Sequence, residues 1–219
     1  MSAGPVPEGT EAAAAWQDLE PEELARAQGY QLIGLLLIGP PDGERLRVAR
    51  ALAPEPEGAA GEAESIAAAV AALGERARGL DPEAVAEEYQ ALFVRLDQKE
   101  LRPYASWYLA GRQYGKALLA LREDMARLGI ARSGAVGEPE DHIALLCEMM
   151  AGLILGAFGE GPAAVASQAA FFRRHLQGWA PRFFADLRSV APAGGFYAAV
   201  GRLGECFLAL ETEAFGLEG

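Results

Sequence analysis

The chain alternates between apolar segments with helical spacing and short breaks rich in Gly, Pro and Asp. No stretch keeps a period of two, β-branched residues are sparse, and Ala and Leu dominate the apolar share, so helix is the expected state almost everywhere. A first helix is expected from about Pro21. It is apolar on every side by Leu32–Leu37, as a central buried helix would be, and ends at Gly39-Pro40-Pro41.

Asp42 is placed to cap a second helix, Glu44 to about Ala53, before a loop from Pro54 to Gly61. An alanine-rich, peripheral helix follows over 62–78 with a weak stripe of Ile66, Val70 and Leu73. Asp81-Pro82-Glu83 then combines a cap with a first-position proline, opening a helix that carries Val85, Tyr89, Leu92, Phe93 and Leu96. The connection 97–103 leads into the most aromatic stretch, Pro103-Tyr104-Ala105-Ser106-Trp107-Tyr108, and a helix with Tyr114, Leu118, Leu121 and Met125 on one face.

After a glycine-bearing loop, 129–137, Glu138-Pro139-Glu140-Asp141-His142-Ile143 reads as a helix start. Pro139 suits the first position, and Glu138, Glu140 and Asp141 lie at the positive end of the dipole. The stripe Ile143, Cys147, Met150, Ile154, Ala157 faces a core, and His142 sits in the first turn beside apolar surface. A helix from Pro162 carries Val165, Ala169, Phe172, His175 and Leu176, a short one carries Phe183, Phe184 and Leu187, and a last one the stripe Phe196, Val200, Leu203, Phe207, Leu210, Ala214. The expectation is an all-α, single-domain bundle of about nine to eleven helices over 21–219, with a flexible tail over 1–20 and a candidate hinge at 129–137.

Composition narrows the function. The longest apolar run, Tyr30 to Ile38, is about half of what crosses a bilayer, and the acidic, weakly apolar N-terminus does not read as a secretion signal, so a cytoplasmic protein without membrane insertion is expected. A formal charge of −12 excludes a surface built for nucleic-acid phosphates. Cys147 and Cys206 lack a CxxC partner and read as buried thiols.

No dinucleotide fingerprint, P-loop or GxSxG elbow appears. Ser106, Asp141 and His142 do not form a triad on this reading, because adjacent Asp and His on one helical turn point about 100° apart. Two histidines and two cysteines on separate helices give no metal-ligand spacing, and no cofactor is expected.

Three stretches carry a family resemblance. Tyr89-x-x-Leu92-Phe93 with Pro103-Tyr104-x-Ser106-x-Tyr108 is one, with Ala105 and Trp107 where the family often has Glu and Val, and Val94-Arg95 where it has Gly-Pro. Glu138-Pro139-x-Asp141-His142-Ile143 is the second, a full E-P-x-D-H match. Phe171-Phe172-x-x-His175-Leu176-x-x-Trp179-Ala180-Pro181-x-Phe183 is the third. In this order they resemble the TorD/DmsD family of cytoplasmic chaperones for molybdenum-containing reductases.

The resemblance implies a non-enzymatic chaperone that binds the twin-arginine signal peptide and apoprotein of a molybdopterin oxidoreductase, assists cofactor insertion and delays export. Homodimers formed by segment exchange are a further expectation, with the 129–137 loop as hinge. Alternatives are a NarJ-like assembly factor for a membrane-bound nitrate reductase, and a purely structural helical protein. Some family members bind guanine nucleotide, but no phosphate motif in this chain points to it.

A receptor for paired guanidinium groups beside an apolar segment needs carboxylates next to an aromatic wall. The candidate residues are Asp141, His142, Glu138 and Pro139, with Tyr104, Ser106, Trp107, Tyr89 and Phe93. Phe171, His175 and Trp179, four apart on one face, read as structural.

Overall fold

Ten α-helices, with no strand among the described residues, make up the computed structural model, which describes residues 19–52, 65–94, 101–132 and 137–217. In chain order they are α1 (Pro21–Leu37), α2 (Gly43–Arg50), α3 (Ile66–Gly79), α4 (Pro82–Tyr89), α5 (Ala105–Ala110), α6 (Lys116–Arg127), α7 (Ile143–Leu155), α8 (Val165–His175), α9 (Ala180–Val190) and α10 (Phe196–Gly216). A π-helical turn, Gln90–Val94, continues α4 and carries Leu92 and Phe93. Most of the 1–20 tail, the 54–61 loop, Leu96, residues 97–100 of the 97–103 connection and the middle of the 129–137 loop lie outside the described residues.

Helices α1 and α7 form the centre. Gly34 lets them approach, since a Cβ there would sit 3.1 Å from the Ala144 carbonyl oxygen. Tyr30, Ile33, Leu36 and Leu37 from one helix and Ile143, Leu146, Met150 and Ile154 from the other are buried to 1 % or less. At about 1.5–3 kcal/mol for each large aliphatic side chain removed from water, this contact is a major contribution to the core. Helix α10 packs on α9 and α3, and Gly204 makes room for the Phe184 ring, which an added Cβ would meet at 2.2 Å.

Expected caps are present at Asp42, which accepts from the amides of Glu44 and Arg45, and at Asp81, which accepts from Glu83. Four expectations are corrected. Helix α7 begins at Ile143 rather than at Pro139, because Pro139–Asp141 form a turn closed by the His142 amide donating to the Pro139 carbonyl, 3.0 Å. Tyr114 does not open the next helix: it has φ +67° and is exposed, and α6 starts after Gly115.

Helix α3 is not peripheral. Its residues Ala69, Leu73 and Ala77 are buried against neighbouring helices, while Ile66 and Val70 sit half-buried at a groove. On α10 the buried positions run through Phe207 to Glu211 and Phe215, leaving Leu210 and Ala214 exposed. Glu211 can lie at a core position because Arg26 donates to both its carboxylate oxygens, at 2.7 and 2.9 Å, and Tyr30 donates at 2.8 Å. Removing either partner would strand a buried charge.

Candidate functional site

The stretch before α5 and the stretch before α7 run antiparallel as an isolated bridge between Tyr104 and His142. The Ile143 amide donates to the Pro103 carbonyl at 2.8 Å and the Ala105 amide to the Asp141 carbonyl at 3.0 Å. Two of the sequence motifs are thus laced together through backbone groups that helix starts leave without partners.

Asp141 extends the lacing. Its Oδ2 accepts from the Ser106 amide at 2.8 Å, so one carboxylate caps α5 from a distant segment of chain. The residue is 1 % exposed, and its Oδ1 has no hydrogen-bond partner among the described residues. Beside it lies a cavity of about 60 Å³ shared with Leu121, Arg174 and His175. Ser106 passes the connection on: its Oγ accepts from the Tyr114 amide at 3.0 Å.

His142 caps α7. Its Nδ1 accepts from the Ala144 amide at 3.1 Å, which places the ring proton on Nε2, and the ring lies edge-on to Tyr104. Burial pulls its pKa down to about 4, so it is neutral at physiological pH. Both members of the Asp-His pair therefore face inward, where they hold α5 against α7.

The open rim is made by other residues. Tyr104 donates its hydroxyl to Glu138 at 2.6 Å, and burial followed by that bond pushes the phenol pKa well up. Glu138, Pro139, Tyr104 and Trp107 are half-buried, and the Arg102 guanidinium lies 4.4 Å over the Trp107 ring. This aromatic face holds a guanidinium within the protein itself. Tyr89 is buried and its phenol is raised to about 12, by burial first and then by the charge of Glu138, which places it behind the rim. Phe93 stacks on it with ring centroids 4.8 Å apart. All nine candidate residues thus gather at or directly behind one junction.

Two residues were missed by sequence reasoning. Glu140 is buried and takes a two-pronged contact from Arg122, at 3.1 and 2.9 Å. Burial pushes its carboxyl up, but the Arg122 hydrogen bonds and charge outweigh that and its pKa lies below the ordinary value. Glu148 is the more informative. It is the sole charged side chain of α7, a signal present in the sequence, and it is exposed with its pKa raised by partial burial.

Glu148 lines two cavities at once. One, of about 210 Å³, combines Glu138, Glu140 and Glu148 with Arg132, which pairs with Glu140 at 3.5 Å, over an apolar floor that includes Leu145, Met149 and Phe158. The other, of about 900 Å³, is a mainly apolar groove along α1, walled by Leu32, Leu35, Ile66, Val70, Leu203 and Phe207. The apolar surplus on α1 that reads as all-round burial is in fact one wall of this groove.

The third motif is structural. His175 Nε2 lies 2.7 Å from Asp124 Oδ2, Arg127 also bonds Asp124, and Trp179 Nε1 donates to the His175 carbonyl at 2.6 Å. Among the described residues no group of three or more His, Cys, Asp or Glu could hold a metal ion, and no helix is long and apolar enough to cross a membrane.

Comparison with known proteins adds the following. A family model described as nitrate reductase delta subunit matches residues 59–185. The chain is 31% identical over 130 residues to the chaperone protein TorD of Vibrio cholerae, covering 57% of this chain and 59% of the relative, so it spans less than two thirds of that protein's length. It is 27% identical over 219 residues to TorD of Shewanella loihica, covering 91% of this chain and 97% of that one. Among solved structures, one described as a redox enzyme maturation protein from Archaeoglobus fulgidus superposes with a TM-score of 0.59 at 24% identity, over 84% of this chain and 93% of that one, a likeness of fold.

Proposed function

This chain belongs to the nitrate reductase delta subunit family, and from that premise we propose that it is a chaperone for the maturation of a molybdopterin-containing reductase. On this reading it acts in the cytoplasm, binds the twin-arginine signal peptide and apoprotein of its client, assists cofactor insertion and delays export. It catalyses no reaction.

The observation that carries the proposal is the position of Glu148 on the border between the acidic cavity and the apolar groove. A twin-arginine leader is a pair of guanidinium groups followed by an apolar segment. Such a peptide places its arginines among Glu138, Glu148 and the Tyr104 and Trp107 rings, and its apolar segment along α1, in the order that the two cavities present. Asp141, His142 and Ser106 act as positioning residues that fix Tyr104 beside Glu138. Tyr89 and Phe93 back the wall, and Pro139 sets the turn.

Isothermal titration of the purified protein with a twin-arginine leader peptide tests this. The twin-lysine peptide is expected to bind about ten-fold more weakly, because lysine cannot make two-pronged contacts to a carboxylate. Glu138→Gln/Glu148→Gln is expected to weaken the arginine peptide while leaving the unfolding midpoint in place. Equal affinity for both peptides, or no effect of the double variant, would sink the assignment.

The family model favours a second reading, a NarJ-like assembly factor for a membrane-bound nitrate reductase, whose contact is the apoenzyme itself. Binding to a mature apoenzyme without binding to any leader selects it. A structural protein without clients binds neither.

A further inference from the structure

Two arginines of this chain already stand where a bound leader would put its own. Arg102 lies with its guanidinium carbon 4.4 Å over the Trp107 ring. Arg132 lines the acidic cavity with Glu138, Glu140 and Glu148, and its Nε is 3.5 Å from a Glu140 oxygen. One guanidinium therefore rests on the aromatic wall and the other among the carboxylates, the two surroundings that a receptor for paired arginines offers.

Both are anchored near the backbone and loosely held at the side chain. Leu101 and Pro103 on either side of Arg102 are buried, and the Pro103 carbonyl accepts from the Ile143 amide. Among the described residues the Arg102 guanidinium has no hydrogen-bond or ion-pair partner beside the indole face. Ile130 is buried two residues before Arg132, whose own side chain is 55 % exposed. Glu140 does not depend on Arg132, because Arg122 contacts both its carboxylate oxygens.

An exposed ion pair and a cation over a half-exposed ring are weak contacts that open readily. Arg26 shows the alternative. It also lines the apolar groove, but two bonds to buried Glu211, at 2.7 and 2.9 Å, fix it in the core.

We propose that Arg102 and Arg132 are internal stand-ins for the arginine pair of the leader. They occupy the Trp107 face and the acidic cavity while the site is free, and give way when a leader enters. This regulation of the site rests on the leader-binding reading given above. Its consequence is selectivity: an incoming peptide has to displace two guanidinium groups already in place, which two linked arginines do better than one arginine or a pair of lysines. Apparent affinity is lowered in proportion to the fraction of molecules in which the stand-ins are seated.

Titration calorimetry of the full chain with the twin-arginine leader tests this through Arg102→Gln/Arg132→Gln. Two positive charges are lost, so the control is Arg182→Gln/Arg188→Gln, an equal loss on α9, which lines none of the cavities described above. The first variant is expected to bind the leader at least three-fold more tightly than the control, with the fold intact. In the parent, the Arg102 Nε–H resonance, displaced by the indole ring current and assigned by its loss in Arg102→Gln, is expected to move to the position of an exposed arginine as the leader saturates.

Equal affinity of the two double variants overturns the proposal, as does an Arg102 resonance that stays in place at saturation. In both cases leader binding by the parent leaves the site itself standing. Weaker binding by Arg102→Gln/Arg132→Gln overturns it too, since the two arginines would then be contacts to the leader and not its rivals. If neither the parent nor any variant binds a leader, the leader-binding reading fails and the proposal falls with it.

Discussion

His142 should make the stability of this protein fall in weak acid. The folded state holds the ring neutral, with a pKa of about 4 against the ordinary 6.5, because burial penalises the imidazolium. Protonation of Nδ1 would also abolish the bond from the Ala144 amide and place a positive charge at the positive end of α7. Between these two pKa values the unfolded chain binds a proton that the folded one does not, so stability rises with pH through that window and is lost as pH falls.

The full gap corresponds to about 3.4 kcal/mol at 1.36 kcal/mol per pH unit. Roughly 2 kcal/mol of it is lost between pH 7.5 and pH 5. Urea unfolding at several pH values measures this, with His142→Asn as the control, since Asn caps a helix without titrating. The variant loses the edge contact to Tyr104, so its stability at pH 7.5 is expected to be lower. Its loss on going to pH 5 is expected to be about 2 kcal/mol smaller than that of the parent. Parallel curves for the two proteins would refute the reasoning, because buried carboxylates such as Asp124 titrate alike in both.

Asp141→Ala removes the acceptor of the buried Ser106 amide and should cost about 1–3 kcal/mol in urea unfolding, with the Tyr114 turn loosening first by hydrogen exchange. Gly204→Ala forces a methyl group into the Phe184 ring and should lower stability by roughly 1–3 kcal/mol in the same assay. Tyr114→Gly should be neutral or stabilising by up to about 1 kcal/mol, because left-handed strain is relieved while an exposed ring gives up little packing. Glu211→Leu should be destabilising despite its apolar side chain, since Arg26 and Tyr30 lose a shared buried acceptor, and a calorimetric midpoint at or above that of the parent would contradict this.

The sequence made the helices legible wherever punctuation and period agreed, as at Asp42, Asp81-Pro82 and the Ile143–Ile154 stripe. It failed where a distant partner decides the local outcome. Glu211 occupies a core position because Arg26, at the far end of the chain, neutralises it, and no window around α10 contains that information. Pro139 imitates a helix start, yet the antiparallel pairing with Pro103 and Ala105 draws Asp141 and His142 out of the helix.

Motif order placed the nine candidate residues near one another, but which of them are buried and which face solvent was not legible. Burial of Asp141 and His142, and the open position of Glu148, depend on how α5, α7 and α1 meet. Family resemblance supplied the motifs, and packing decides which of them face solvent.

The groove along α1 draws most of its wall from outside the region shared with the family model. Of its wall residues only Ile66, Val70 and Glu148 fall within 59–185, the region shared with the family model, while Leu32, Leu35, Leu203 and Phe207 come from the flanking helices. The acidic rim around Glu138 and Tyr104 lies entirely inside that region. Under the proposed function, a chimera carrying α1 and α10 of a relative on this chain's centre is expected to keep a preference for paired arginines and to take on the relative's choice of apolar segment, so that the common signal and the individual address would be read by separately exchangeable parts.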